Sequence, residues 1–511
     1  MRVRWVSLLT AGLIFLFVPL DTHAESSPIR LPLRKRGKTI DHTQKLSRRQ
    51  NHIALTSQLY NDRGSEYLVT VGIGTPPQNF TVALDTGSAD LWVPSAACPT
   101  DECPFARFEP NQSSTYQSTN RPFDIAYGTG SANGTYVLDV VQVGDVRVAE
   151  QQFGLVSTTE NIILRNGKDT AANGILGIGY PELTSTTSIY DPFVFNMAKQ
   201  GLIPEAIFSI HMGSLYDSGW SGEIMFGGIN KDRLKGHVKY APVARLDIQD
   251  KVTYAYWMLY GSGIRVVKDN GGIVSSNDFE QDGTVSDPSE LLHVPFPEAR
   301  GVIIDTGTTL TYMESTLAEQ ILLSVAGPSH ALFDAVSGTF VVDCALAHKH
   351  PPRPSSFLEL SFARNTSNAS VLQLRLPIRD LIIPLDTDNL ETASLCMFGI
   401  APWKGEGAMA LSNAGMILIG DTILRSTYLV FDMAKNRIGF APAINSSASV
   451  TGIIGYDDSR PSQKNDGEQE TSQHTRTTAS MSSAASNRHQ GGLCFVMLVS
   501  ILYSLRPLKG L

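Results

Sequence analysis

Two short stretches carry the residue types best suited to chemistry. An apolar run, Val82-Ala83-Leu84, delivers Asp85 into a Thr86-Gly87 turn, and Ser88 follows. The same order returns 220 positions later, where Val302-Ile303-Ile304 leads into Asp305-Thr306-Gly307-Thr308. One such triplet means little, because Asp and Gly are ordinary turn residues. Two, each behind an aliphatic strand-like run and ahead of a hydroxyl, read as the halves of one site. Carboxylates held close together cannot both ionise cheaply, so the pair keeps one proton over a wide pH range. The ionised member can take a proton from water while the protonated member gives one to a carbonyl oxygen. That chemistry suits hydrolysis of a peptide bond by a bound water, with no covalent intermediate. Gly87 and Gly307 would let the backbone turn tightly beside each acid. Ser88 and Thr308 would hydrogen-bond the outer carboxylate oxygens and orient them.

Further motifs widen the pattern. Tyr67 through Gln78, then Phe80 and the first Asp segment through Trp92-Val93-Pro94-Ser95, form one long signature. Tyr127-Gly128-Thr129-Gly130-Ser131 lies between two strand-like runs. Gly174-Ile175-Leu176-Gly177 and Leu418-Ile419-Gly420-Asp421 are matching apolar-apolar-Gly loops, and Phe431-Asp432 and Ile438 through Pro442 close the region. In combination these resemble the pepsin-like aspartic proteases over roughly residues 65–443. The resemblance implies an all-β, bilobal fold with the active site between two barrel-like lobes, and Asp85 and Asp305 as its catalytic acids. It makes Tyr127, Gly128 and Thr129 the tip of a flap that closes over an extended peptide. Trp92 matches the residue that supports the flap tyrosine through its indole N–H. It also implies Cys98–Cys103 and Cys344–Cys396 disulfides, a monomer, and no metal or organic cofactor. One departure is Asn133-Gly134-Thr135, a glycosylation sequon close to the flap.

The elements that must position these groups read as short strands. Tyr67–Ile73, Phe80–Leu84, Phe123–Tyr127, Thr135–Val143 and Gly222–Phe226 are rich in β-formers and bounded by turn residues. Phe193–Gln200 and Ser315–Val325 are the better helix candidates. The repeated Asp turn and apolar-apolar-Gly loop predict two lobes related by an approximate twofold, residues 50–245 and 246–443, with the crossing near 240–255. Asp85 precedes Gly177 by 92 residues and Asp305 precedes Gly420 by 115, so the second lobe should carry extra loops. Asp269–Ser289 and Ala345–Asn368 are polar or Pro-bearing and read as surface insertions.

A chain of 511 residues with 42% hydrophobic and 18% charged residues is long and apolar enough for two or more packed units. Its net charge of −8 gives no basic footprint for nucleic acid. Residues 1–24 read as a secretory signal: Arg2 and Arg4, the apolar Val6–Leu20, then Thr22-His23-Ala24. Glu25–Arg49 holds eight Lys/Arg against two acids, a basic pro-segment suited to cover an acidic body electrostatically. Arg36 and Arg49 each end a basic cluster that a basic-pair convertase could cut. Secretion also fits the cysteines, and sequons stand at Asn79, Asn111, Asn133, Asn365, Asn368 and Asn445. Asn79 lies in a predicted strand, an awkward place for a glycan.

After Pro442 the composition changes. Residues 444–490 are rich in Ser, Thr, Asn and Gln and read as a disordered stalk. The tail 491–511 holds the apolar run Leu493–Leu505 behind the small residues Ser482, Ser483, Ala484, Ala485 and Ser486, an order resembling a GPI attachment signal. Arg506 and Lys509 break a clean apolar end, which leaves a tail anchor or no anchor open. A stalked, anchored acid protease of this kind resembles the fungal yapsin-type surface proteases. Cleavage after basic residues would need acids facing the bound side chain, and Asp90, Asp101 and Glu102 are the nearby candidates. The competing classes are a non-catalytic binding protein on the same scaffold and a cell-wall protein whose globular part is incidental. Gly72–Gly74 lacks the third Gly and following helix of a nucleotide site.

Overall fold

A computed structural model describes residues 55–452 apart from 62–66, 129, 163–171, 215–218, 249–250, 270–288, 349–354, 367–369, 388 and 404–410. The expected signal, pro-segment, Arg36 and Arg49, nearly all of the Asp269–Ser289 insertion and the C-terminal tail lie outside the described residues.

Strands dominate, as the runs of Val, Ile, Leu, Phe and Tyr between turn residues require. Tyr67–Ile73 folds back onto Gln78–Asp85, pairing Leu68 with Ala83 and Ile73 with Gln78. Both belong to a 13-stranded sheet that also receives the chain's late strands Thr427–Asp432 and Arg437–Pro442. Tyr428 pairs with His211 and Asp432 with Ile207, so the end of the catalytic region is bonded into the sheet of the first half. An eight-stranded sheet forms the second half, with a four-stranded sheet beside it. The fold is the all-β, bilobal pepsin-like one.

The same local arrangement occurs once in each half. Gln78–Asp85 runs parallel to Ile175–Gly177, and Leu91–Pro94 lies antiparallel on the latter's other side. Glu290–Ile304 runs parallel to Ile417–Ile419, and Thr311–Met313 pairs antiparallel with that strand at Tyr312 and Leu418. Each Asp therefore leaves the end of a buried strand whose neighbour is the apolar-apolar-Gly loop. Between the halves, buried Trp257 packs 4.4 Å from Tyr180 and 5.1 Å from Phe431, ring centre to ring centre. Its indole N–H donates to the carbonyl of Ile178 at 3.0 Å. After Lys239–Pro242 the chain passes through a two-stranded hairpin, Leu246–Ile248 with Lys251–Thr253, to Met258–Lys268 of the second sheet.

The longest helices among the described residues are Phe193–Lys199 and Ser315–Ala326, with a single turn at Asp421–Leu424. The second buries Leu317, Ile321, Leu322 and Val325, one face at i, i+4 spacing, and stops at Gly327, whose φ of +73° a side chain rarely adopts.

Two expectations are corrected. Ala345–Asn368 is not a surface insertion throughout: Ser356–Ala363 is an inner strand between Met258–Lys268 and Ser370–Pro377. Leu358, Leu360 and Phe362 alternate into the core, a period-two signal masked by the flanking prolines. The stalk does not begin at 444, because Ser449–Gly452 adds an edge strand against Leu372–Arg375. An edge strand is held by main-chain bonds, so its Ser-Val-Thr-Gly composition does not forbid it.

Candidate active site

Asp85 and Asp305 sit where the two halves meet, 7% and 6% exposed. Each carboxylate is held by its own loop in the same way. Gly87 N–H donates to Asp85 Oδ1 at 2.7 Å and the Ser88 hydroxyl donates to Oδ2. Gly307 N–H donates to Asp305 Oδ1 at 2.8 Å and the Thr308 hydroxyl donates to Oδ2 at 2.7 Å.

The two loops are also crossed. A Cβ on Gly87 would lie 2.7 Å from Asp305 Cγ, and one on Gly307 would lie 2.4 Å from Asp85 Oδ1. Each glycine thus leaves room for the opposite carboxyl, and the two acids come within hydrogen-bonding reach. Burial, and then the charge of Asp85, push the Asp305 carboxyl well above the usual carboxylate range. A pair in that condition holds one proton between its members.

Thr86 and Thr306 fix the crossing, and nothing local in the sequence singled them out. Thr86 Oγ1 donates to the Ile304 carbonyl at 2.7 Å, and Thr306 Oγ1 donates to the Leu84 carbonyl at 3.0 Å. The Thr306 N–H donates to Thr86 Oγ1 at 3.0 Å, and the Thr86 N–H to Thr306 Oγ1 at 3.2 Å. The repeated middle position of the two triplets was the signal that could have found them. The flanking loops complete the frame: Ile178 N–H donates to the Asp85 carbonyl at 2.8 Å and Asp421 N–H to the Thr308 carbonyl at 2.9 Å.

Tyr127 closes the hairpin between Gln117–Ala126 and Ser131–Val143, its N–H donating to the Gly130 carbonyl at 2.8 Å. Its hydroxyl accepts from Trp92 Nε1 at 2.9 Å. Burial and the nearby Asp85 charge raise the Tyr127 phenol far above its ordinary value, so it stays neutral. Gly128 is exposed at the tip, and Thr129 lies outside the described residues.

Of the three acids considered for a basic side chain, Asp90 faces the wrong way. It is fully buried and accepts from Tyr136, Tyr190 and Ser185. Glu102 accepts from Thr159 N–H at 2.9 Å, and Asp101 is exposed.

Cys98–Cys103 and Cys344–Cys396 are disulfides with Cα separations of 5.9 and 5.3 Å. Asn79, Asn111, Asn365 and Asn445 are exposed; Asn79 projects outward from its strand although the backbone there is paired. Asn133 is half-buried and stands opposite Asp124 across the flap hairpin. Asn368 lies outside the described residues. Among the described residues no cluster of three His, Cys, Asp or Glu could hold a metal, and no helix is long and apolar enough to cross a membrane.

Known proteins share this chain's pattern over most of its length. It is 31% identical to pepsin A of Canis lupus familiaris over 402 residues, 76% of this chain and 84% of that protein. It is 32% identical to mucorpepsin of Rhizomucor miehei over 388 residues, 74% and 78% of the two chains. With cathepsin E-B of Xenopus laevis it shares 30% identity over 465 residues, 89% of this chain and all of the other. The eukaryotic aspartyl protease profile matches residues 66–443, and the chain belongs to that family.

Proposed function

We propose that the protein is an aspartic endopeptidase that cuts extended peptides at acidic pH, with Asp85 and Asp305 as its catalytic pair. The observation that carries this reading is the crossed placement of two buried carboxyls, each oriented by a glycine N–H and a hydroxyl of its own loop. A water between them loses a proton to the ionised acid and attacks the scissile carbonyl carbon. The protonated acid gives its proton to the carbonyl oxygen, forming a neutral gem-diol. Collapse then breaks the C–N bond: the proton taken from water passes to the leaving amine, and one gem-diol hydroxyl returns its proton to the other acid, leaving a carboxylic acid product and the one-proton pair restored. The preset hydrogen bonds to Ser88 and Thr308 keep both acids from reorganising during these transfers. Tyr127, Gly128 and Thr129 cover the substrate and exclude water.

The same reading takes residues 1–24 as a signal and 25–49 as a pro-segment removed at Arg49 or Arg36. The chain then travels the secretory route, with a stalk and a GPI-type attachment among Ser482–Ser486. Support for maturation at Arg49 comes from the strand Leu55–Asn61, which starts soon after it and pairs with Gly219–Phe226. Incubating the secreted protein with denatured protein substrates across acid to neutral pH tests the activity. Cleavage with an acid optimum, unaffected by a chelator and lost in Asp305→Ala, is expected; activity that survives Asp305→Ala removes the reading.

A further inference from the structure

Asp90 has no task in the reaction just described, yet it is a fully buried carboxylate two residues from Ser88 and two from Trp92. Its Oδ1 accepts from the Tyr136 hydroxyl at 2.9 Å and from the Tyr190 hydroxyl at 2.7 Å. Its Oδ2 accepts from the Ser185 N–H at 2.7 Å. Tyr136 belongs to the second strand of the flap hairpin, and its ring packs edge-on against Phe123 of the first strand, 5.1 Å between centres. Tyr190 and Ser185 come from the segment between Ile175–Gly177 and Phe193–Lys199.

The short segment from Asp85 to Trp92 thus grips the flap twice. Trp92 holds the tip through Tyr127, and Asp90 holds the base through Tyr136. We propose that Asp90 is a positioning residue whose ionised carboxylate pins the flap base to the catalytic loop, and whose protonation loosens the flap and weakens peptide binding. This rests on the endopeptidase reading above.

The donor count supports the ionised form as the gripping one. Both tyrosine hydroxyls and the amide and hydroxyl of Ser185 present hydrogens, and a carboxylate has lone pairs for all four. A proton on either oxygen sets a donor against donors, so one of the hydroxyls must turn round to accept it and its contact to the carboxylate is lost. The titratable groups nearby are Tyr136 and Tyr127 of the flap, Tyr190 of the adjoining segment, and Asp85 on the same segment as Asp90. Among the described residues no Lys, Arg or His pairs with Asp90 to hold its charge. Burial raises its carboxyl above the ordinary range, more than its hydrogen bonds lower it. Asp90 therefore takes up a proton more readily than an exposed aspartate does.

The test follows KM and kcat of the full-length secreted protein on one peptide across the acid range. Binding of a peptide carrying a non-hydrolysable hydroxyethylene at the scissile position is measured in parallel. Wild type should show KM and Kd rising as pH falls, separately from the kcat profile set by the dyad. Asp90→Asn should show KM raised about threefold to tenfold at the upper end, the worth of one hydrogen bond, and flat with pH. Faster amide exchange over residues 117–143 than in wild type at the same pH should accompany it. An Asp90→Asn protein whose KM still rises toward acid as in wild type overturns the proposal. Should that variant not fold, Tyr136→Phe and Tyr190→Phe decide. Only the first removes a donor on the flap, so a larger KM change in Tyr136→Phe is expected, and wild-type KM profiles in both overturn it. A wild type that cleaves with Asp305 dependence but fails these tests removes only the role of Asp90; one that cleaves no peptide removes both readings.

Discussion

Thr86 and Thr306, 220 positions apart, are each other's hydrogen-bond partner: the N–H of each donates to the hydroxyl of the other, at 3.2 and 3.0 Å. Each hydroxyl then donates to the carbonyl before the opposite Asp, at Ile304 and Leu84. Both side chains are buried. The distance between the two carboxyls is therefore set by main-chain atoms of both halves.

Replacing Thr86 with Val keeps the shape and removes the hydroxyl. It leaves the Ile304 carbonyl and the Thr306 N–H without partners inside the protein, at a cost of about 1–3 kcal/mol for each buried group. The expected result is lowered stability in denaturant titration together with about a hundredfold loss of kcat, because small displacements of reacting groups are expensive. Lost stability with unchanged kcat would separate the threonines from the positioning of the acids.

Asp305→Asn should have opposite effects on activity and stability. General acid–base catalysis contributes about 10²–10⁴-fold, and that much of kcat should go. The folded-state carboxyl titrates above the unfolded one. Its favourable balance is thus complete below the unfolded value near pH 4 and is lost as pH rises through the folded one. Asn carries no such penalty. The variant should melt higher than wild type at neutral pH and at the same temperature near pH 3. Calorimetry at the two pH values checks this, and equal melting at both speaks against a strained pair.

Tyr127→Phe keeps the ring and deletes the hydroxyl that Trp92 Nε1 bonds. A loss of about 1 kcal/mol, roughly fivefold in kcat/KM, is expected from that bond alone. Trp92→Phe should act to the same degree, and the double variant should be no worse than either single. Additive losses would show that the two residues work independently.

The disulfides should differ in worth. Cys344–Cys396 spans 52 positions and Cys98–Cys103 spans five. In the chain-entropy account their removal costs about 4 and about 2 kcal/mol. Denaturant titration of paired Ser variants compares them directly.

What could be read from sequence was local. The two Asp-Thr-Gly turns and the apolar runs before them declare themselves within ten residues, and so does the helix Ser315–Ala326 through its spacing. The long-range partnerships were hidden. Thr86 finds its acceptor 218 positions away, and Asp90 finds Tyr136 and Tyr190 at 46 and 100 positions. An acidic residue beside a catalytic motif reads as available to substrate until the donors that consume it are located. The strand Ser356–Ala363 was lost for another reason: prolines just before it marked a loop, and their signal outweighed a short alternation.

The shared proton can be counted. Carboxyl-carbon NMR of the protein labelled at Asp, with Asp85→Asn and Asp305→Asn used for assignment, follows both acids through pH. One proton retained by the pair well above the range where an isolated aspartate has lost it, and released as a single later step, is the predicted result. Two carboxyls that each ionise independently near pH 4 would contradict the account.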